Sequence, residues 1–324
     1  YLEKTKRSEY PMNLLVHETL ATLCERGCLH PPQLAQAVLE LSVFRRITQE
    51  EYRCVLHAMF RKGYLKQYED GAVGLSDSGE RICCSLEFYA VFESEDTFSV
   101  RCNGQEIGTV DRAYKAEESF FLAGRTWRVL GCDLKRKRMD VEPGSAGADI
   151  HFNGRGALYT DRRTMEKIHQ VLASEERYSY LDEEATEILQ EIQRTAGRMG
   201  LRKLLAEEPG TDNLVLFPVL GTDTIRTLYY LWNSNGVVCE KVALRGFLYG
   251  LRLCSVGRRG LRRMTLRMLD SGCRVDLDLL LRKERVEGKY FEVLPQELKY
   301  RQLKEDALDL GGAEAFLREL VDIL

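Results

Sequence analysis

Three groups of residues in this chain have types and spacings suited to chemistry: cysteines near a histidine, close pairs of carboxylates, and rows of arginines. Cys24-x3-Cys28-x-His30 offers half of a tetrahedral zinc site, but no second Cys/His pair follows to complete it, so no metal is expected. Cys83 and Cys84, adjacent on a strand-like segment, would point to opposite faces, which favours core packing over a vicinal disulfide. The ten cysteines fall mostly in apolar segments without a secretory signal, and reduced thiols in a cytoplasmic protein are expected. Asp276-x-Asp278 suggests a nuclease-type cation site, yet residues two apart on a helix point about 200° apart, and helix capping accounts for them better. The five histidines (17, 30, 57, 151, 169) stand in no nucleophile context, with His17, His57 and His169 on helices at surface or boundary positions. Asn153-Gly-Arg-Gly156 is a glycine loop without the strand-turn-helix frame of a dinucleotide site.

The arginines carry the strongest signal. From Lys241 to Lys289 there are thirteen Lys/Arg against five Asp/Glu, a local balance of +8 that leaves −11 for the rest of a chain whose net charge is −3. One basic stretch in a nearly neutral protein points to a single anion-facing surface. Within it Arg258, Arg259, Arg262, Arg263 and Arg267 take one half of a helical wheel, and Leu261, Met264 and Met268 recur on the other. Leu266 and Leu269 interrupt the row. Such a helix packs by its apolar side and turns guanidinium groups toward phosphates or toward acids of its own chain. A second cluster, Lys62, Tyr64, Lys66 and Tyr68, combines cations with rings on which an unpaired base can stack. Trp127 shares a strand face with Val129 and is expected in a core.

The elements that must hold these residues follow from length and periodicity. At 324 residues the chain exceeds one ordinary core, and 44% hydrophobic with 30% charged residues describes a globular protein of two or three modules. No apolar run approaches the roughly 20 residues of a membrane helix, and Tyr1–Glu9 carries no h-region, so membrane and secretory classes are excluded. Tyr1 stands where a methionine is usual, and a piece of a longer protein is expected.

Residues 11 to 82 read as three helices and a hairpin, a winged helix. Pro11 starts the first helix and Gly27 stops it, the second runs from Pro32 to about Leu41, and Thr48-Gln-Glu-Glu51 is a capping box for the third. Asp70-Gly71 turns the hairpin. From Phe88 the period becomes 2, with strands predicted at 89–91, 98–100, 107–110, 120–122 and 127–129, the density of a small antiparallel β-barrel. Glu142-Pro-Gly-Ser-Ala-Gly147 reads as a loop or boundary. The remainder alternates helices (164–173, a helix through Leu181–Ile192 capped by Ser179 or Asp182, one capped at Thr222, then 258–270, 276–284, 296–308, 312–323) with strands at 214–217, 237–239 and 242–249. The expected class is α+β, with domains 1–86, 87–160 and 161–324.

Three stretches resemble the C-terminal accessory region of large helicase-related (Lhr-type) DEAD/DEAH helicases. The first joins Phe44-Arg-Arg-Ile-Thr-Gln-Glu-Glu-Tyr-Arg-Cys-Val-Leu56 to Phe88-Tyr-Ala-Val-Phe-Glu-Ser94, with Ile107-Gly-Thr and Leu122-Ala-Gly-Arg-Thr-Trp-Arg-Val129. The others, Leu214-Val-Leu-Phe-Pro-Val-Leu-Gly-Thr222 with Thr227-Leu228, and Lys289-Tyr-Phe-Glu-Val-Leu-Pro-Gln-Glu-Leu298 followed by Leu308-Asp-Leu-Gly-Gly-Ala313, are similar to that family's DEAD/H-associated domain. The resemblance implies an ATP-driven 3′-to-5′ translocase whose two RecA-like motors, with ATP and Mg, precede this region. The chain itself has no G-x-x-x-x-G-K-[ST] loop, and Tyr180-Leu-Asp-Glu-Glu184 opens a helix instead of following a strand, so no cofactor and no self-contained active site are expected here. The expected partners are single-stranded or forked nucleic acid and the motor domains of the same protein. Arg45, Arg46, Lys62, Tyr64, Lys66, Tyr68, Arg258, Arg259, Arg262 and Arg263 are the expected contacts. The rival readings are a winged-helix, glycosylase-like DNA repair enzyme, for which no carboxylate is singled out, and a protein-interaction scaffold.

Overall fold

A computed structural model describes residues 8–90, 98–110, 113–134, 136–144, 159–201, 203–244, 247–284 and 288–324, with the backbone alone at 243–244 and 247–249. The Asn153–Gly156 loop, His151 and Val91, the last residue of the strand expected at 89–91, lie outside the described residues. The protein is mixed α+β, and it divides into two compact units, Tyr1–Val91 with Gly156–Leu324, and Phe92–Arg155.

The N-terminal segment contains α1 (Met12–Arg26), α2 (Pro31–Leu39), α3 (Gln49–Arg61), β1 (Leu65–Gln67), β2 (Val73–Leu75) and α4 (Asp77–Cys83). The capping box forms as its spacing requires, with Glu51 N–H donating to Thr48 Oγ1 at 3.2 Å and Thr48 N–H to Glu51 Oε2 at 2.8 Å. β1 and β2 pair antiparallel, and Gly71, at φ 84°, takes the left-handed conformation their turn needs. The cysteine pair Cys83-Cys84 closes α4 and does not lie on a strand. Helical geometry buries Cys83 and exposes Cys84.

The second unit holds β3 (Phe98–Cys102), β4 (Gln105–Val110), β5 (Ser119–Leu122), β6 (Arg125–Asp133) and β7 (Arg138–Pro143) in one curled five-stranded sheet ordered β4-β3-β7-β6-β5. The expected purely antiparallel barrel is corrected in one respect: β3 pairs parallel with β7. Of the strand expected at 89–91, Tyr89 instead ends a 3-10 turn, Leu86–Tyr89, and Ala90 follows it outside any strand. Trp127, 7% exposed, packs with Phe98, Val100, Phe120, Val129 and Val141, and its indole N–H donates to Leu122 O at 2.9 Å.

The C-terminal segment comprises α5 (Arg162–Ala173), α6 (Glu183–Arg198), β8 (Leu205–Glu207), β9 (Leu214–Leu216), α7 (Thr222–Ser234), β10 (Cys239–Leu244), β11 (Phe247–Leu253), α8 (Gly257–Asp270), α9 (Leu277–Lys283), α10 (Gln296–Ala307) and α11 (Leu310–Ile323). β10-β11-β9-β8 form an antiparallel sheet. The strand expected at 242–249 divides between β10 and β11, which pair antiparallel with Leu244 opposite Phe247. Gly221, not Thr222, caps α7, because the Thr222 hydroxyl is engaged by Thr160 N–H at 2.9 Å. Asp182 caps α6 through Ala185 N–H at 2.8 Å. Asp276 caps α9, accepting from Asp278 and Leu279 N–H at 2.9 and 3.0 Å.

Both segments of the larger unit share one core. Met12, Leu15, Val16 and Leu20 of α1 and Tyr52, Val55 and Met59 of α3 pack in the same cluster as Leu280, Phe291, Val293, Leu298 and Leu303. Asn13 and Gln302, both buried, exchange hydrogen bonds at 2.9 and 3.3 Å across this junction. A second core joins β9 and β11 to α7, α8 and α11 through Leu216, Leu228, Trp232, Leu251, Leu261 and Leu317.

Candidate nucleic-acid interface

α8 seats itself by Leu261, Thr265 and Met268, all buried, and turns its arginines outward. The four expected contacts on it separate into two kinds. Arg258 is tied to Glu207 across Nε–Oε1 at 2.6 Å, so its charge is already met. Arg259, Arg262 and Arg263 are exposed, and among the described residues no carboxylate pairs with them. Arg267 belongs with them. Residues 259, 263 and 267 follow one another at i, i+4, i+8, with about 6 Å of axial rise per step, and form a continuous guanidinium row. That spacing was legible, although Arg267 was not among the expected contacts. Leu266, 37% exposed, breaks the polar surface beside it. Two other cations of the basic block meet carboxylates. Arg252 binds Glu208 at 2.7 Å and Glu240 at 3.1 Å, which holds the Glu208 carboxyl below its usual pKa, and Lys241 faces Glu284 at 3.8 Å.

The hairpin sorts its residues in the same way. Tyr68 is 44% exposed, with its ring lying over Gly74, where a Cβ would come within 2.9 Å of Cε2. Lys66 Nζ sits 5.5 Å from the Tyr68 ring centroid, leaving a cation and an aromatic face together at the turn. Tyr64 is half-buried and packs against the first core, and Lys62 caps α3 in solvent.

Arg45 is exposed, but its neighbour Arg46 has a structural role. Arg46 pairs with Glu9 at 3.0 Å and stacks on Tyr10 at 4.8 Å, and Arg301 lies over the same ring at 4.3 Å. The Glu9 hydrogen bond raises the Arg46 pKa still further. Tyr10 is thus held between two guanidinium groups, a joint between the N-terminal helices and α10.

The other sequence candidates also have defined places. Cys24, Cys28 and His30 are exposed, His30 serves as N-cap of α2, and all ten cysteines are free thiols. No group of three or more His, Cys, Asp or Glu among the described residues could hold a metal ion. His17 is half-buried and stacks on Phe88 at 4.5 Å, with burial lowering its pKa. Among the described residues no helix is long and apolar enough to cross a membrane.

One feature the sequence did not announce is a cleft of 370 Å³ where Tyr159–Arg162, Leu220–Thr224 and Asp309–Glu319 meet. Its carboxylates mostly fasten helix ends. Asp161 caps α5, Asp309 caps α11, and Asp223 pairs with Arg226 at 2.6 Å.

No family model, curated protein or solved structure matches the chain.

Proposed function

We propose that this chain is the C-terminal accessory region of an Lhr-like ATP-dependent helicase. In this reading the N-terminal segment is a winged helix, the curled sheet is the family's barrel, and the C-terminal segment is its DEAD/H-associated domain. The region guides a single strand by its backbone while motor domains elsewhere in the protein hydrolyse ATP. The observation that carries the reading is the unpaired row Arg259, Arg262 and Arg263 on α8, exposed on a chain with 50 acidic residues. A chain rich in carboxylates that leaves guanidinium groups unmatched on one helix face presents a site for a polyanion. Guanidinium groups grip phosphate in pairs of hydrogen bonds and carry no base preference, which suits a strand that must slide. Tyr68 supplies a face for one base, and stacking is equally tolerant of sequence.

The test is fluorescence anisotropy with labelled single-stranded DNA and RNA across a salt series. Each neutralised phosphate contributes about −0.7 to the slope of log affinity against log salt, so the Arg259→Ala/Arg262→Ala/Arg263→Ala variant should flatten it by about 2. Arg258→Ala, already paired with Glu207, should change it little. Tyr68→Ala should cost about 1–3 kcal/mol and leave the slope in place. An unchanged slope in the triple variant, with circular dichroism showing it folded, refutes the interface.

A further inference from the structure

We propose that Cys24 and Cys83 form a dithiol site that oxidises to a disulfide by exchange with a small-molecule disulfide of the glutathione type. Cys24 is an exposed residue in the last turn of α1, and Cys83 is the buried last residue of α4. The Cys83 thiol lies against α1 itself, with Sγ 3.9 Å from the Leu20 carbonyl oxygen. Leu20 is four residues before Cys24, hence on the same helix face. Side chains on a helix lean back toward its N-terminus and cover the preceding turn. Cys24 therefore reaches over the place where the Cys83 sulfur sits, and, added to burial, its nearness helps hold the Cys83 thiol above its ordinary pKa. Neither residue belongs to the guanidinium row or to the aromatic hairpin, so the site stands apart from the nucleic-acid reading.

The chemistry runs in two exchanges. The exposed Cys24 thiolate attacks one sulfur of oxidised glutathione, forms a mixed disulfide and releases one reduced glutathione. The Cys83 thiolate then attacks Cys24 Sγ, closing the protein disulfide and releasing the second glutathione. Two protein thiols lose two protons and two electrons, and one glutathione disulfide becomes two thiols. The product pins α4, and through it β2, to α1. Burial pushes the Cys83 thiol up to about 12, so the second exchange is the slower at neutral pH and accelerates roughly tenfold per pH unit as the thiolate fraction grows.

Cys83 and Cys84 follow Arg81 in one tryptic peptide, whereas Arg26 separates Cys24 from Cys28, so mapping is done on the exposed-site variant Cys84→Ser. The folded chain is incubated with oxidised glutathione at pH 7 and pH 9, quenched with acid and analysed without reduction. The expected result is a glutathione adduct on Cys24 that accumulates at pH 7 and converts at pH 9 to a peptide pair linking Cys24 to Cys83. Cys83→Ala should stop at the adduct at both pH values, and Cys24→Ser should give neither species. A Cys24 adduct that persists unconverted at pH 9 in the Cys84→Ser chain overturns the proposal. So does a Cys24–Cys83 link that forms only after denaturant is added.

Discussion

Removing the Asp309 carboxylate should loosen α11 from α7. Its Oδ1 accepts the Gly312 N–H at 2.9 Å, and its Oδ2 accepts the Thr224 hydroxyl of α7 at 2.6 Å. The first bond is an N-cap, which is worth about 1 kcal/mol. The second joins a carboxylate to a buried hydroxyl and is worth about 1.5–3 kcal/mol, since its loss leaves Thr224 without an acceptor. Asp309→Ala should therefore cost roughly 2–4 kcal/mol. Asp309→Asn keeps an oxygen for the cap and should cost roughly half as much. The backbone bond from Asp309 N–H to Thr227 Oγ1, at 2.8 Å, survives both changes. Trp232 is fully buried on α7 and reports this unit alone once the other tryptophan is changed by Trp127→Phe in the separate sheet unit. In urea, with a slope of about 3 kcal/mol/M or more for a chain of this size, the midpoint should fall by about 1 M. Thr224→Val combined with Asp309→Ala should cost less than the two single changes together, because both remove the same bond. A midpoint within about 0.2 M of the parent, or strict additivity, would refute the coupling of the two helices through this carboxylate.

Burial lowers the His17 pKa, so the unfolded chain binds the extra proton first. The stability that neutral His17 contributes is then present above its unfolded value of about 6.5 and is lost as pH falls toward the folded value. His17→Phe should flatten the fall in urea midpoint between pH 7.5 and pH 5, and an unaltered pH profile would count against this account. Gly250→Ala places a Cβ 2.6 Å from Leu216 O and 2.9 Å from Phe217 Cδ1, between β11 and β9. It should cost about 1–3 kcal/mol by urea denaturation, and a neutral effect would show that the strands can part there freely. Finally, the purified chain should hydrolyse no ATP, having no phosphate loop. ATPase activity that co-elutes with it on gel filtration would overturn this.

What could be read from the sequence divides by range. α3 was legible because its capping box and apolar spacing lie within one short stretch, and so was α8. α4 was hidden by Ser76-Asp-Ser-Gly79, whose composition suggests a turn. Yet Ser76 caps the helix, and Gly79 is needed because the Tyr64 carbonyl lies where its Cβ would be. β7 carries a clear alternation, with Met139 and Val141 buried, but the neighbouring Pro143-Gly144 reads as a boundary. Its parallel pairing with β3 joins strands far apart in the chain, a contact that no local pattern encodes. The site follows the same division. Wheel geometry revealed the row of arginines, but not which of them is neutralised. Glu207 lies 51 residues before Arg258, and only the fold brings them together.

The shared core bears directly on how a strand would be held. Gly288, at φ 134°, approaches Asn13 so closely that any side chain there would collide with its amide, and next to it the Lys289 ammonium donates to the Glu87 carbonyl. These contacts, with Tyr10 between Arg46 and Arg301, weld the hairpin-bearing segment to α9 and α10. Tyr229 and Val275 pack against both this core and the one beneath α8. Tyr68 and the α8 row therefore belong to one compact unit whose parts are fixed by burial. On the proposed reading, a strand meeting both would find an aromatic face and a guanidinium row already in place, and the conformational entropy of arranging them is lost in folding instead of at binding.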